Sequence, residues 1–138
     1  MKKYELLEHT ADIRVRMTGK DLKGLFKNSA LAMFDIIAQR KLSKTDKQEK
    51  IIIEQKADNL DELFINWLNE LLSLSSAKEL IFSEFQIKKL DENNLEAVAM
   101  GENEKKYKVN TEIKAATYHG LKLEKIRSGW QAEVIFDV

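Results

Sequence analysis

Two aspartates and the end of the chain are the groups in this sequence best suited to chemistry. Asp12 closes the polar tetrapeptide His9-Thr10-Ala11-Asp12, and Asp137 precedes Val138, whose α-carboxylate stands at the last position. Three carboxylates gathered in one place would repel one another, and the natural remedy is a hard divalent cation such as Mg²⁺, Ca²⁺ or Mn²⁺. Considered alone, Asp12 also reads as a turn residue that binds local amides. His9 could orient Asp12 or ligate a metal through a ring nitrogen, or serve as a hydrogen-bonding turn residue. His119, in Thr117-Tyr118-His119-Gly120, reads as a polar loop residue at a turn. Lys105-Lys106-Tyr107-Lys108 could touch RNA phosphates or form a solvated edge.

Whether the aspartates meet depends on strands. Residues 3–7 and 12–18 read as strands; in the second, Ile13, Val15 and Met17 alternate with Asp12, Arg14, Arg16 and Thr18, the period of two of a sheet with one buried face. The last segment, 130–137, alternates Trp130, Ala132, Val134 and Phe136 with Gln131, Glu133, Ile135 and Asp137. If the two pair antiparallel, Asp12 meets Asp137 and the chain end. If they run parallel, the same groups lie roughly 20 Å apart and no common site exists.

Between them, three- and four-residue spacings of Leu22, Leu25, Phe26, Ala30, Met33, Phe34 and Ile37 predict a helix from Lys20 or Asp21 to Ala38. Gly24 sits in its first turns at a cost of about 1 kcal/mol relative to Ala, so this end frays or packs closely against a neighbour. Arg40–Lys50 reads as a loop leading into a strand at Ile51-Ile52-Ile53-Glu54. Asp58 or Asn59 caps a second helix whose apolar stripe includes Leu60, Leu63, Phe64, Trp67, Leu68, Leu71 and Leu72. Strands follow at 81–89, 94–101, 110–117, 121–126 and 130–137, separated by turn signals at Asp91-Glu92-Asn93-Asn94, Gly101-Glu102-Asn103-Glu104, His119-Gly120 and Ser128-Gly129. The order ββαβα followed by a run of strands is an α+β pattern, with two amphipathic helices on a mostly antiparallel or mixed sheet. The whole of residues 1–138 reads as a single domain.

Composition narrows the chemistry further. The 138 residues are 43% hydrophobic and 33% charged, enough apolar material for a core. Lys and Arg number 23 against 23 Asp and Glu, which argues against a protein that coats nucleic acid by net charge. The absence of Cys excludes thiolate nucleophiles, disulfides and Cys-ligated zinc, so a metal would rest on oxygen ligands. No apolar run has the length of a signal peptide or a membrane span, and a soluble, cytoplasmic protein with no membrane partner is expected. GxGxxG, P-loop, GxSxG and HExxH motifs are missing.

Tyr4-Glu5-Leu6-Leu7-Glu8-His9-Thr10-Ala11-Asp12, Ala30-Leu31-Ala32-Met33-Phe34, Lys114-Ala115-Ala116-Thr117-Tyr118-His119-Gly120-Leu121 and Val134-Ile135-Phe136-Asp137-Val138 together resemble the archease family, in the right order and across essentially the whole chain. The resemblance implies a small accessory protein of the RtcB-type RNA ligase of tRNA splicing and RNA repair. Such a helper promotes guanylylation of the ligase histidine, permits multiple turnover and widens nucleotide use beyond GTP. It touches RNA only indirectly or transiently. The resemblance further implies metal binding by Asp12, Asp137 and the carboxylate or carbonyl of Val138, with Lys114 and His119 matching a shared block in supporting positions. Lys23-Gly24 departs from many relatives, on a surface expected beside the metal site. Two rival readings remain at this stage: a stand-alone metal-dependent hydrolase, for which a general acid and a cationic clamp are missing, and an RNA-binding or chaperone-like module.

Overall fold

The alternation after Asp12 and the two apolar stripes become, in the computed structural model, part of a longer series of elements; the structure describes residues 4–7, 12–41 and 48–138. In chain order these are β1 (Tyr4–Leu7), β2 (Ile13–Gly19), α1 (Leu22–Ile37), β3 (Ala38–Arg40), β4 (Glu49–Lys56), α2 (Leu60–Lys78), β5 (Leu80–Leu90), β6 (Asn94–Asn103), a 3₁₀ turn (Glu104–Lys106), β7 (Tyr107–Val109), β8 (Ala115–Ile126) and β9 (Gly129–Asp137). They form a four-stranded sheet in the order β1-β2-β9-β8, a three-stranded sheet β4-β6-β5 and a ribbon β3-β7. All of these pairings are antiparallel. The expected α+β class with two helices is what the chain adopts, although the strands divide among three sheets and do not share one.

Both helices start where local chemistry places them. The Asp21 carboxylate accepts the Gly24 amide at 2.7 Å, and the Asn59 side chain accepts the Glu62 amide at 2.8 Å. Asp61 and Glu62 then sit in the positive first turn of α2. α2 ends at Glu79, which takes a left-handed backbone with φ 55°, a conformation more often given to Gly. α1 packs on β2 and β9 of the larger sheet and on β5 of the smaller; α2 packs on β8, β5 and β4. Their facing sides fill the core with aromatic rings: Phe26 meets Phe64 edge-on at 5.2 Å, Phe34 meets Phe82 at 5.6 Å, and Trp67 meets Phe85 at 6.0 Å. The Trp67 indole N–H donates to the Phe26 carbonyl at 3.0 Å, so the largest buried side chain has no unpaired polar group.

Several expected boundaries moved. Arg40–Lys50 does not begin as plain loop, because Ala38–Arg40 forms β3 against Tyr107–Val109; residues 42–47 of that segment lie outside the described residues. Gly101 and Glu102 do not turn but continue β6, and a Cβ on Gly101 would come within 2.6 Å of the Ile81 carbonyl oxygen. Here the glycine serves close approach to β5. Residues 110–114 are not a strand; the Asn110 and Thr111 amides donate to the Ile37 carbonyl, tying the segment to the end of α1. Nor do His119-Gly120 separate two strands: β8 runs through them with an irregularity between its pairs Thr117↔Ile135 and Lys122↔Glu133. Gly120, at φ 68°, supplies the backbone that this irregularity needs. Lys106 and Tyr107 are not a free basic edge, since Lys106 pairs with buried Glu102 at 3.0 Å and the Arg40 guanidinium lies over the Tyr107 ring.

Two measurements test this packing. Trp67→Ala should lower unfolding stability by about 3–5 kcal/mol, whereas Ile52→Ala on an exposed position should change it by no more than about 0.5 kcal/mol, both read from urea midpoints. Tyr4 donates its phenol to Asp35 of α1. Burial, that hydrogen bond and the Asp35 charge push its pKa from 10.0 up to about 12. The folded state therefore holds the phenolic proton more tightly; the stability this lends is complete below pH 10 and is lost as pH rises from 10 toward 12. Ultraviolet titration should show one tyrosine ionising near 12, absent in Tyr4→Phe.

Candidate metal centre

The register of β2 on β9 decides where the acidic groups go. Ile13 opposes Phe136, Val15 opposes Val134 and Met17 opposes Ala132. These pairs face the core, and Arg14, Arg16, Glu133 and Ile135 lie on the other face. Asp12 directly precedes β2 and Asp137 is the last residue of β9, so the antiparallel register brings both to the same end of the sheet. On the other side of β9, Ala115 opposes Asp137 and the Lys114 amide donates to the Asp137 carbonyl at 2.8 Å. One end of the sheet thus gathers Asp12, Asp137, Val138 and Lys114. Asp12 is half-buried, whereas Asp137, Val138 and Lys114 are exposed.

His119 is not drawn into this group. It is exposed in the irregular part of β8, four residues further along than Ala115. His9 lies outside the described residues. Lys23-Gly24 is not beside these acids either: it opens α1, next to Gly19 at the far end of β2.

Like charges gathered at one end of a sheet repel, and a bound cation would remove that penalty. The Asp137 main-chain carbonyl already accepts the Lys114 amide, and its exposed carboxylate is the group most open to a metal. Among the described residues, no group of three or more His, Cys, Asp or Glu side chains comes together to hold one. As metal ligands these acidic groups would be hard and oxygen-only, the kind that Mg²⁺, Ca²⁺ or Mn²⁺ takes. They also fall short of the six to eight oxygens such ions take, leaving positions for main-chain oxygen, water or a partner's groups.

Two supports of this end were not visible beforehand. Asn69 of α2 donates its side-chain amide to the Ala116 carbonyl at 3.0 Å and accepts the Ala116 amide at 2.7 Å. It stands in for a further strand and fixes the start of β8 beside Lys114 and Asp137. The only hint in the sequence is an Asn, a poor helix former, inside a helix. Glu133, buried on the outer face, is approached by Arg14 at 3.3 Å, Arg16 at 3.5 Å and Lys122 at 3.9 Å. Arg16 also reaches Glu5 at 3.4 Å, so three strands are linked to β9 by charge. A hollow of about 750 Å³ opens between α2 and residues 109–115, with Asn69, Ser73, Glu112 and Lys114 on its walls.

Over residues 4–138 the chain matches the archease protein family (MTH1598/TM1083). The chain belongs to the archease family. It is 40% identical to the protein archease of Methanosarcina barkeri over 99% of this chain and 97% of that one, and 37% identical to that of Pyrococcus abyssi over the full length of both. Among solved structures, it is similar to protein 1598 of Methanobacterium thermoautotrophicum, with a TM-score of 0.79, 30% identity and complete coverage of both chains. It is also similar to an archease described as a possible chaperone from Thermotoga maritima, with a TM-score of 0.64 and 26% identity over 96% of this chain and 94% of that one. Among the described residues, no helix of this archease is long and apolar enough to cross a membrane.

The outer-face network yields a stability prediction. Glu133→Gln should cost about 1–3 kcal/mol, because neutralising the hub leaves Arg14, Arg16 and Lys122 facing one another without a counter-charge. Arg14→Ala should cost less in the Glu133→Gln background than alone, measured as a double-mutant cycle by urea unfolding.

Proposed function

We propose that this archease is a metal-binding accessory protein that activates an RtcB-type RNA ligase in tRNA splicing and RNA repair, promoting guanylylation of the ligase histidine and multiple turnover. The observation that carries the reading is the antiparallel β2–β9 register, which puts Asp12 and Asp137 at one end of one sheet in a chain of this family. Asp12 and Asp137 hold a divalent cation with the carboxylate or carbonyl of Val138, and Lys114 steadies the strand end through its amide. When bound, that cation supplies positive charge toward phosphate oxygens of the type handled in nucleotidyl transfer. An oxygen set short of a full shell, at an exposed sheet end, suits presentation to a partner better than stand-alone turnover. The role is that of a helper rather than an enzyme, in the cytoplasm with its ligase. His119, exposed in the irregular part of β8, is given no part in metal binding.

The test is ligase guanylylation with and without this protein across Mg²⁺, Mn²⁺ and Ca²⁺. Asp12→Ala and Asp137→Ala should each return the rate to that of the ligase alone while circular dichroism and thermal unfolding stay close to the parent. Full stimulation by both variants would refute the proposal. One residue added after Val138 should impair stimulation as well; an unaffected extended protein removes Val138 from the ligand set. Nucleotide or RNA turnover by the protein without ligase would favour the hydrolase reading instead.

A further inference from the structure

The end of the sheet opposite the two aspartates is floored by glycines and walled by cations. β2 finishes at Gly19, α1 opens just beyond it, and β9 begins at Gly129 alongside. A Cβ on Gly129, whose φ is 144°, would lie 2.1 Å from the Gly19 carbonyl oxygen, and one on Gly19 would lie 2.2 Å from the Leu25 amide nitrogen. Three stretches of backbone therefore meet with no room for side chains between them, a rigid floor. Two hollows of about 600 and 430 Å³ open there and share Lys20, Asp21 and Ser128. Lys27 lines the first, and Lys125 and Arg127 line the second. Lys23, whose ammonium donates to the Lys88 carbonyl at 3.2 Å, adds charge on the α1 side.

Lys20, Lys27, Lys125 and Arg127 are all exposed, and among the described residues none of the four makes an ion pair. Among the described residues, the one carboxylate lining the hollows is that of Asp21, whose Oδ1 accepts the Gly24 amide. In a chain with equal numbers of acidic and basic residues, this is charge segregation: a cationic end about 25 Å along β2 from Asp12, at 3.3 Å per residue. The geometry points to the sugar–phosphate backbone of an RNA strand as the ligand of this basic end. Lysines are mobile point charges that suit sequence-independent phosphate contact, and the Ser128 hydroxyl adds a hydrogen-bond donor. An acidic protein surface fits less well, because protein interfaces are anchored by buried apolar and aromatic groups. Leu6, Ile52, Val109, Tyr118 and Val138, the exposed large hydrophobics, lie outside both hollows, and the apolar residues that line them, Leu31, Ile126 and Trp130, are partly buried. The phosphate reading rests on the cations alone; the choice of RNA over DNA rests on the function proposed above.

The experiment needs no ligase: fluorescence anisotropy of a labelled single-stranded RNA of about 20 nucleotides with the full chain, at about 50 and 150 mM salt. Four cations neutralising four phosphates of a single strand predict binding about twentyfold weaker at the higher salt. The combined variant Lys20→Ala, Lys27→Ala, Lys125→Ala and Arg127→Ala should lose at least about tenfold in affinity at the lower salt and most of the salt dependence. Lys20→Arg with Lys27→Arg and Lys125→Arg should bind like the parent, as should Asp137→Ala. Parent-like binding by the alanine variant, loss of binding in the arginine variant, displacement of RNA by an equal charge of polyglutamate, or salt-independent binding would each overturn the inference. Tighter binding of DNA of the same sequence would overturn the choice of RNA. Since Asp137→Ala is expected to lose guanylylation but keep RNA, failure of one reading does not pass as failure of the other.

Discussion

Pairing of β2 with β9 joins strands from opposite ends of the chain, and nearly every other feature leans on it. Closing so long a loop costs entropy, and the burial of Val15, Met17, Ala132, Val134 and Phe136 on one face opposes that cost. α1 lies on this buried face, α2 reaches β8 at its side, and the second sheet closes over the helices through β5. A slip of one residue would turn every side chain of one strand to the wrong face. It would expose Val15 and Met17 and carry the charged Arg14 and Arg16 into the core. The hydrophobic pattern therefore holds the register, and the register brings Asp12 and Asp137 to one end of the sheet.

Electrostatics then divides the sheet into zones that its zero net charge conceals. One end holds Asp12 and Asp137, and the other is dense in cations that make no ion pair among the described residues. The open face between them carries Arg14, Arg16 and Lys122 around Glu133, whose side chain is 8% exposed. That hub balances cations that would otherwise repel. A second enclosed acid, Glu102, is met by Arg40 and Lys106 and ties the β3-β7 ribbon to β6. Charge thus braces the surfaces where apolar packing is thin, while the aromatic core binds the layers.

Much of the fold is legible locally. The stripes of α1 and α2, the cap at Asn59, the Asp91–Asn94 turn and the alternation of β2 and β9 each lie within a single element and obey a period or a capping rule. The errors share a cause as well. Gly101 and Gly120 resemble turn signals, yet one admits the Ile81 carbonyl and the other shapes an irregular strand; only a neighbouring backbone separates those uses. β3 and β7 are too short to show a period and exist because they pair with each other. Gly24, expected to fray α1 or pack closely, lies with the Gly19 backbone 3.7 Å from where its Cβ would be.

By itself the sequence determined which groups were available, hard oxygen donors without thiols, and which residues belong to helices, strands and core, because these depend on side-chain chemistry and on periods a few residues long. It also carried the family through its motifs. Strand direction and register were decided only by the tertiary structure. Alternation says which face of a strand is buried but not which strand lies beside it, and an antiparallel neighbour brings Asp12 to Asp137 where a parallel one would part them. The same holds for Lys20 and Lys27 on one hand and Lys125 and Arg127 on the other, far apart in the chain and brought to one end of the sheet because Gly19 and Gly129 let two strand ends and a helix start touch.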